Sequence, residues 1–346
     1  MVELRNVLEH IISKRDLALE EAYEMAIAML RGELDDVGIA ALLVALRAKG
    51  ESASEIAGFA RALRSTCVRV EFEKDLLDTA GTGGDGAHTI NVSTAAALTA
   101  AALGAYVAKH GNRSVSSKSG SADFLEKLGY RIDHGPETAK CMLEKARFTF
   151  LFAPRYHPAM KVVMPVRRRL GIRTIFNLVG PLANPANARM QVLGVAMPEL
   201  LEKMAEVGKL LGYKRLLIVH GEPGIDEVSV SGKTVVLLVE GGNIERVTIT
   251  PEELGVKRHP LDSLRVGGPR ESVERVMSVF RGAGRPADRD FVAVNAGFAL
   301  YAAGIARDFR DGVELALQAF SEGIVAQYVE RLLEVQRECL YSKSVE

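Results

Sequence analysis

The sequence predicts an α/β protein: a small N-terminal helical domain, residues 1–70, joined to a large α/β domain, residues 71–346, whose mostly parallel central sheet is flanked by helices. Three observations predict it. The first seventy of the 346 residues carry only helical apolar stripes. From about residue 71 onward, short apolar runs alternate with helical periods, the pattern of a parallel sheet. Glycine-rich loops follow several of those runs, where an open α/β sheet takes its ligands.

In the helical part, Leu4, Val7, Leu8, Ile11 and Ile12 lie on one stripe, and Ala22, Met25, Ala26 and Met29 form a second that stops at Gly32. Asp35 caps a third helix holding Ile39, Leu42, Leu43 and Leu46, which ends at Gly50. Ser52 and Glu55 form a capping box ahead of Ile56, Phe59 and Leu63. These stripes exceed what one small bundle buries internally, so a homodimer contact is expected here. Strands are expected at Leu76–Thr79, Tyr106–His110, Phe148–Phe152, Gln191–Val195, Arg215–His220 and Val235–Val239. Helices are expected at Ser93–Leu103, Asp123–Leu128, Glu137–Lys145, Glu199–Leu211, Ser272–Arg281 and Asp288–Ala303, with one long helix near Val313–Arg337.

Composition excludes several classes. Lys and Arg total 44 against 44 Asp and Glu, so the chain has no basic excess of the kind that serves nucleic-acid binding. The most apolar stretch, Ala95–Ala108, is shorter than the ~20 residues that span a bilayer. Glu3 and Glu9 interrupt the N-terminal apolar pattern, so it reads as no signal peptide. Cys67, Cys141 and Cys339 are odd in number and widely spaced, which predicts reduced, buried thiols in a cytoplasmic protein without disulfides. Arginine outnumbers lysine 29 to 15, with 8 Asn and 4 Gln, and such sparse amides point to a thermophilic source.

The loop Gly81-Thr82-Gly83-Gly84-Asp85-Gly86 matches the dinucleotide pattern G-x-G-x-x-G, but that pattern should open directly into a helix and find an acid about 20 residues on. Here Ala87-His88-Thr89-Ile90 intervenes, and no Asp or Glu occurs between Gly86 and Ala122. The same interval holds His88, Lys109, His110, Arg113 and Lys118 among many hydroxyls and amides. Glycine-freed amides, hydroxyls and a helix N-terminus near Asn91–Thr94 are the parts of a phosphate site. Two such loops suit a ligand with two phosphate groups; ordinary turns and caps are the competing reading. After the apolar run Arg215–Val219, the loop His220–Glu227 ends in adjacent carboxylates that suit Mg²⁺ held together with substrate phosphates, or a solvated turn. Arg167, Arg168 and Arg169 fan over three directions of a helix, so at most two face a site, where a guanidinium fork suits a carboxylate. The seven histidines show no zinc-ligand spacing.

The strings DTAGTGGDG (78–86), NVSTA (91–95), KHGNRSVSSKSGSAD (109–123), HPAM (157–160), LGIRTIFNLVGPLANPA (170–186) and HGEPGIDEVS (220–229) resemble the anthranilate phosphoribosyltransferases. The resemblance covers nearly the whole chain, including ALRAKGES (45–52). It implies transfer of a phosphoribosyl group from phosphoribosyl pyrophosphate (PRPP) to the amine of anthranilate, in tryptophan biosynthesis. It also implies a dimer through the helical domains, a cleft between the domains, and a segment at about 165–187 that rejoins the helical domain. By motif, Gly81, Gly84, Asp85, Thr89, Asn91, Val92, Ser93, Thr94, Lys109, His110, Gly111, Asn112, Arg113, Ser114, Val115, Ser116, Ser117 and Ser121 would bind PRPP. Ser93, Asp226 and Glu227 would hold Mg²⁺. Gly81, Asn112 and Arg167 would contact anthranilate, with His110, His157 and Pro181 lining its path. No residue is expected to act as acid or base; Lys109 and Arg167 assist by charge and position. Ser117 stands where many members carry glycine, and Ala18 where a capping serine is expected. A pyrimidine nucleoside phosphorylase shares the architecture, and some relatives of the fold bind nucleic acid; these are the alternatives. The former is not expected to carry RTIFN with GPLANP.

Overall fold

The computed structural model describes residues 3–113 and 120–341. Seven strands, β1 (Leu77–Gly81), β2 (Val107–Gly111), β3 (Phe148–Phe152), β4 (Met190–Gly194), β5 (Arg215–Gly221), β6 (Thr234–Glu240) and β7 (Asn243–Ile249), form one sheet in the order β3-β2-β1-β4-β5-β6-β7. The first five in that order run parallel; β6 and β7 close the edge antiparallel. The strand order reverses direction between β1 and β4, so a crevice opens at the carboxyl ends of β1, β2 and β4.

Side-chain alternation builds two cores. On one face Leu77, Val192, Leu217, Val219 and Val236 pack with the helices Val92–Ala102, Pro269–Phe280, Pro286–Ala302 and Ile324–Tyr341. On the other, Leu193, Val195, Leu216, Ile218 and Leu237 meet the helix Leu201–Leu210, which packs on the helix Ala53–Thr66. Burial on both faces explains why β4 and β5 read as continuous apolar runs.

Four helices fill the N-terminal region: Leu4–Ile12, Leu19–Leu30, Asp36–Lys49 and Ala53–Thr66. Asp35 accepts a hydrogen bond from the Gly38 amide at 2.8 Å, and the Ser52–Glu55 box forms in both directions. At Ala18 only half of a box exists, the Ala18 amide donating to Glu21 at 2.9 Å. Val166, Ile175, Phe176, Val179 and Leu182 share one core with these helices, so the chain returns to the bundle over that stretch.

Three expectations are corrected. The long helix near Val313–Arg337 is two, Phe309–Ser321 and Ile324–Tyr341, because Gly323 takes φ +70° and ends the first. Strand β7 is an addition to the six expected: its residues are largely exposed, and only the Gly241-Gly242 pair that turns β6 into it marks a hairpin. Cys141 and Cys339 are not free thiols but a disulfide, S–S 2.03 Å, tying the helix Pro136–Ala146 to the C-terminal helix; Cys67 stays free. Odd number and wide spacing hide the pair, because helix packing brings together cysteines 198 residues apart.

Closing so long a loop restricts the unfolded chain, so Cys141→Ser with Cys339→Ser should lower unfolding free energy by up to about 5 kcal/mol. Superimposable guanidinium curves for variant and oxidised protein, or three titratable thiols in the unfolded oxidised protein, would contradict this.

Candidate active site

The chain after β5 folds back over the ends of β1 and β4. A Cβ at Gly194 would lie 1.6 Å from the Asp226 carbonyl oxygen, and one at Gly81 would lie 2.2 Å from the Asp226 carboxylate. Only glycine permits this approach, and it delivers an acidic loop to the glycine loop after β1. Gly83 and Gly84 take φ +62° and +81°, and the Gly83 amide donates to Asp226 Oδ2 at 2.7 Å. The segment 88–92 is held from the far side of the chain. Ile90 donates to Leu264 O at 3.0 Å, Val266 to His88 O at 2.9 Å, and the Asn91 amide to Ser272 Oγ at 2.8 Å. This sets the N-terminus of the helix Val92–Ala102 toward the same crevice.

The resulting cavity, about 380 Å³, is lined by Gly81, Thr82, Gly83, Gly84, Asp85, His88, Thr89, Asn91, Val92, Ser93, Lys109, His110, Gly111, Asn112, Arg113, Ser121, Asp226 and Glu227. Arg173 and Asn177, which the motif reading did not assign, line it as well. Both belong to the RTIFN string, whose composition does not say which side chain faces the crevice. Thr94 is fully buried behind the wall. Arg167, His157 and Pro181 do not line the cavity. Arg167 stands behind Asn177, its Nη2 3.4 Å from Asn177 Oδ1 and its guanidinium 5.3 Å from the Phe176 ring centroid. His157 packs on His110 with ring centroids 5.0 Å apart. Ser114, Val115, Ser116 and Ser117 lie outside the described residues.

Asp85, Asp226 and Glu227 bring one carboxylate oxygen each within 4.8 Å of one another, so Asp85 joins the two acids expected at the metal. Burial and its acidic neighbour Asp85 push Asp226 up to about 6; burial, then Asp226 and Asp85, push Glu227 well above the usual carboxylate range. Glu227 Oε2 is buried with no hydrogen-bond partner. Crowded, desolvated carboxylates with an unsatisfied oxygen fit a hard divalent cation, whose charge would relieve both penalties. Ser93 shares the cavity wall.

Lys109 is buried beneath this cluster. Its Nζ donates to the Thr79 carbonyl, lies 3.2 Å from Thr79 Oγ1 and 3.4 Å from Ser93 Oγ, and burial lowers it to about 8. Asp78, beside it on β1, is raised by burial to about 6. Asn184 of the GPLANPA string donates to Asp78 Oδ2 at 2.8 Å and to the Ala108 carbonyl at 2.7 Å, tying that string to β1 and β2. The acid-free interval does not leave Arg113 unopposed. It pairs bidentately with Glu126, just beyond the interval, at 2.5 and 2.7 Å.

The fold and this site define a glycosyl transferase of two-domain architecture. The model of the family's helical bundle domain matches residues 5–67, and that of its a/b domain matches residues 73–326. The anthranilate phosphoribosyltransferase of Caldivirga maquilingensis is 56% identical over 91% of this chain and 93% of its own. The crystal structure of the Thermus thermophilus anthranilate phosphoribosyltransferase superposes with TM-score 0.90 at 45% identity, over 95% of this chain and 99% of that one. The Saccharomyces cerevisiae anthranilate phosphoribosyltransferase in complex with PRPP and Mg gives TM-score 0.88 at 26% identity, over 97% and 98%. The same yeast enzyme in complex with 4-fluoroanthranilate gives 0.86 at 26%, with the same coverage. The chain belongs to the anthranilate phosphoribosyltransferase family.

Burial holds His157 at about 4, and burial with its neighbour His157 holds His110 well below its ordinary value. Unfolding restores ordinary imidazoles near 6.5, so these two histidines make the unfolded chain take up protons in that window, while Asp78, Asp226 and Glu227, raised in the folded state, act in the opposite sense. The histidine contribution is therefore read as a difference: the stability of the wild type relative to His157→Gln should fall as pH drops from about 6.5 toward about 4. A wild-type-minus-variant difference constant between those pH values would contradict the buried neutral imidazole.

Proposed function

We infer that the protein transfers the phosphoribosyl group of PRPP to the anthranilate amine, giving N-(5-phosphoribosyl)anthranilate and pyrophosphate. The observation that supports it most is one cavity joining the glycine loop, a helix N-terminus and three clustered carboxylates. The C1–O bond to pyrophosphate breaks, the C1–N bond forms and the amine nitrogen gives up one proton to the departing pyrophosphate or to water, so negative charge grows on the leaving group. Loop amides, the helix N-terminus at Asn91–Ser93 and Lys109 are oriented before reaction, so their fields stabilise that charge without reorganising. Asp85, Asp226 and Glu227 would hold Mg²⁺, with Ser93 beside them; the bound ion supplies charge stabilisation for pyrophosphate. The amine of anthranilate is already neutral at physiological pH, so the task of Gly81, Asn112 and the Asn177–Arg167 pair is to position it rather than activate it. His110, His157 and Pro181 would flank its approach.

The helix Asp36–Lys49 packs between the helices Leu4–Ile12 and Met160–Leu170, and Ile12, Val37, Val44 and Val162 stand exposed on these three. Such a face favours a homodimer through the helical part. Among the described residues no helix is long and apolar enough to cross a membrane. Water-soluble substrates suit the cytoplasm, and a bridged cysteine pair is compatible with it in proteins of hyperthermophiles.

Loss of anthranilate fluorescence should require both PRPP and Mg²⁺, whereas thymidine with phosphate should give no thymine. Asp226→Asn with Glu227→Gln should lower kcat at least about tenfold, one decade being ~1.4 kcal/mol of barrier, and shift the Mg²⁺ titration upward. An unchanged titration removes these residues from the metal site; turnover of thymidine instead of anthranilate overturns the reaction. Light scattering after size exclusion should give twice the chain mass, and a monomer at micromolar concentration would exclude the dimer.

A further inference from the structure

The helix Met160–Leu170 ends at Gly171, and the linker that follows, packed on the helical bundle, carries Arg173 across the crevice to the glycine loop. Its guanidinium lies 3.5 Å from the carbonyl oxygens of Thr82 and Gly83. It sits so close to Gly84 that a Cβ there would fall 2.1 Å from Nη1. The other cations in this wall have partners at hand: Arg113 pairs with Glu126 and Asp123, and Lys109 donates to Thr79. Among the described residues, no carboxylate lies within ion-pair distance of Arg173.

The two ends of one peptide unit explain the arrangement. In a trans peptide the C=O and N–H point in opposite directions. The Thr82–Gly83 unit turns its N–H to Asp226 and its C=O to Arg173, so it is held from both sides. The next carbonyl, Gly83 O, also faces Arg173, which aims the Gly84 amide away from the guanidinium. Left-handed φ at Gly83 and Gly84 lets two successive carbonyls face one side. A guanidinium fork meets two acceptors in a way the point charge of lysine does not.

We propose that Arg173 is a positioning residue for the PRPP reaction: it holds the Thr82 and Gly83 carbonyls so that the Gly84 amide faces the pyrophosphate of PRPP, and it makes that geometry depend on the linker from the helical bundle. The proposal rests on the PRPP reading above. It also assigns a reason for glycine at position 84, since any side chain there displaces the guanidinium.

The test compares Arg173→Ala, Arg173→Lys, Gly84→Ala and the Arg173→Ala/Gly84→Ala double variant with wild type. PRPP affinity is measured by isothermal titration calorimetry with Mg²⁺ present, alongside KM for both substrates and thermal unfolding. Arg173→Ala should weaken PRPP about tenfold, the loss of one charge-assisted contact, with anthranilate KM changed much less and an unaltered melting temperature. Arg173→Lys should recover only part of the loss. Gly84→Ala, which adds left-handed backbone strain to the displaced guanidinium, should weaken PRPP at least as much, and the double variant should be no weaker than Gly84→Ala, because the Arg173 contact is already broken there. Wild-type PRPP affinity in Arg173→Ala, or fully additive losses in the double variant, overturns the positioning role. Absence of PRPP binding by the wild-type protein would instead defeat the underlying reaction.

Discussion

The site depends on how closely the chain after β5 crosses the ends of β1 and β4. Asp226 can lie where it does only because Gly81 and Gly194 carry no Cβ. That contact brings a carboxylate to the glycine loop, and Gly83 answers it with an amide. It thereby links the glycine loop to the acids of the candidate metal cluster. The parallel sheet makes the crossing possible, since β1, β4 and β5 end side by side at the point where the strand order reverses.

The same crossing is electrostatically expensive in the absence of ligands. Three carboxylates crowd together, one oxygen has no partner, and an ammonium is buried below them. A fold selected for stability alone would place these groups in water. The rest of the molecule offsets the burden with dense packing: both sheet faces are buried, and Asn184 and the backbone amides of Thr79 and His110 satisfy Asp78. Conflict between local stability and the arrangement of polar groups marks the functional region, as expected where ligand chemistry dictates geometry.

Much of this is legible in residue order. Apolar runs mark six of the seven strands, even where β1 and β2 carry the buried polar residues of the site, such as Asp78 and Lys109, while β7 is exposed and reads as polar. Helix caps at Asp35 and Ser52 are readable because capping is local chemistry. The glycine, hydroxyl and acid loops are readable as ligand chemistry because their composition fits nothing in a core. What stays hidden is tertiary. Arg173 and Asn177 face the cavity while Arg167, on the preceding helix, stands behind it, and neither helical spacing nor motif matching tells which arginine of that stretch reaches the wall. The Cys141–Cys339 bridge depends on two helices meeting, and Asp85 joins the acid cluster only because the β5 loop folds back. Local patterns specify elements; distant approach specifies the site.

The most direct test of this account is calorimetric titration of PRPP, in Mg²⁺ and in EDTA, into wild-type protein and a Gly194→Ala variant whose fold is verified by circular dichroism. The account predicts Mg²⁺-enhanced binding in the wild type and its loss in the variant, where the added methyl would displace Asp226. Equal PRPP affinity in the two proteins, or wild-type binding indifferent to Mg²⁺, would contradict it.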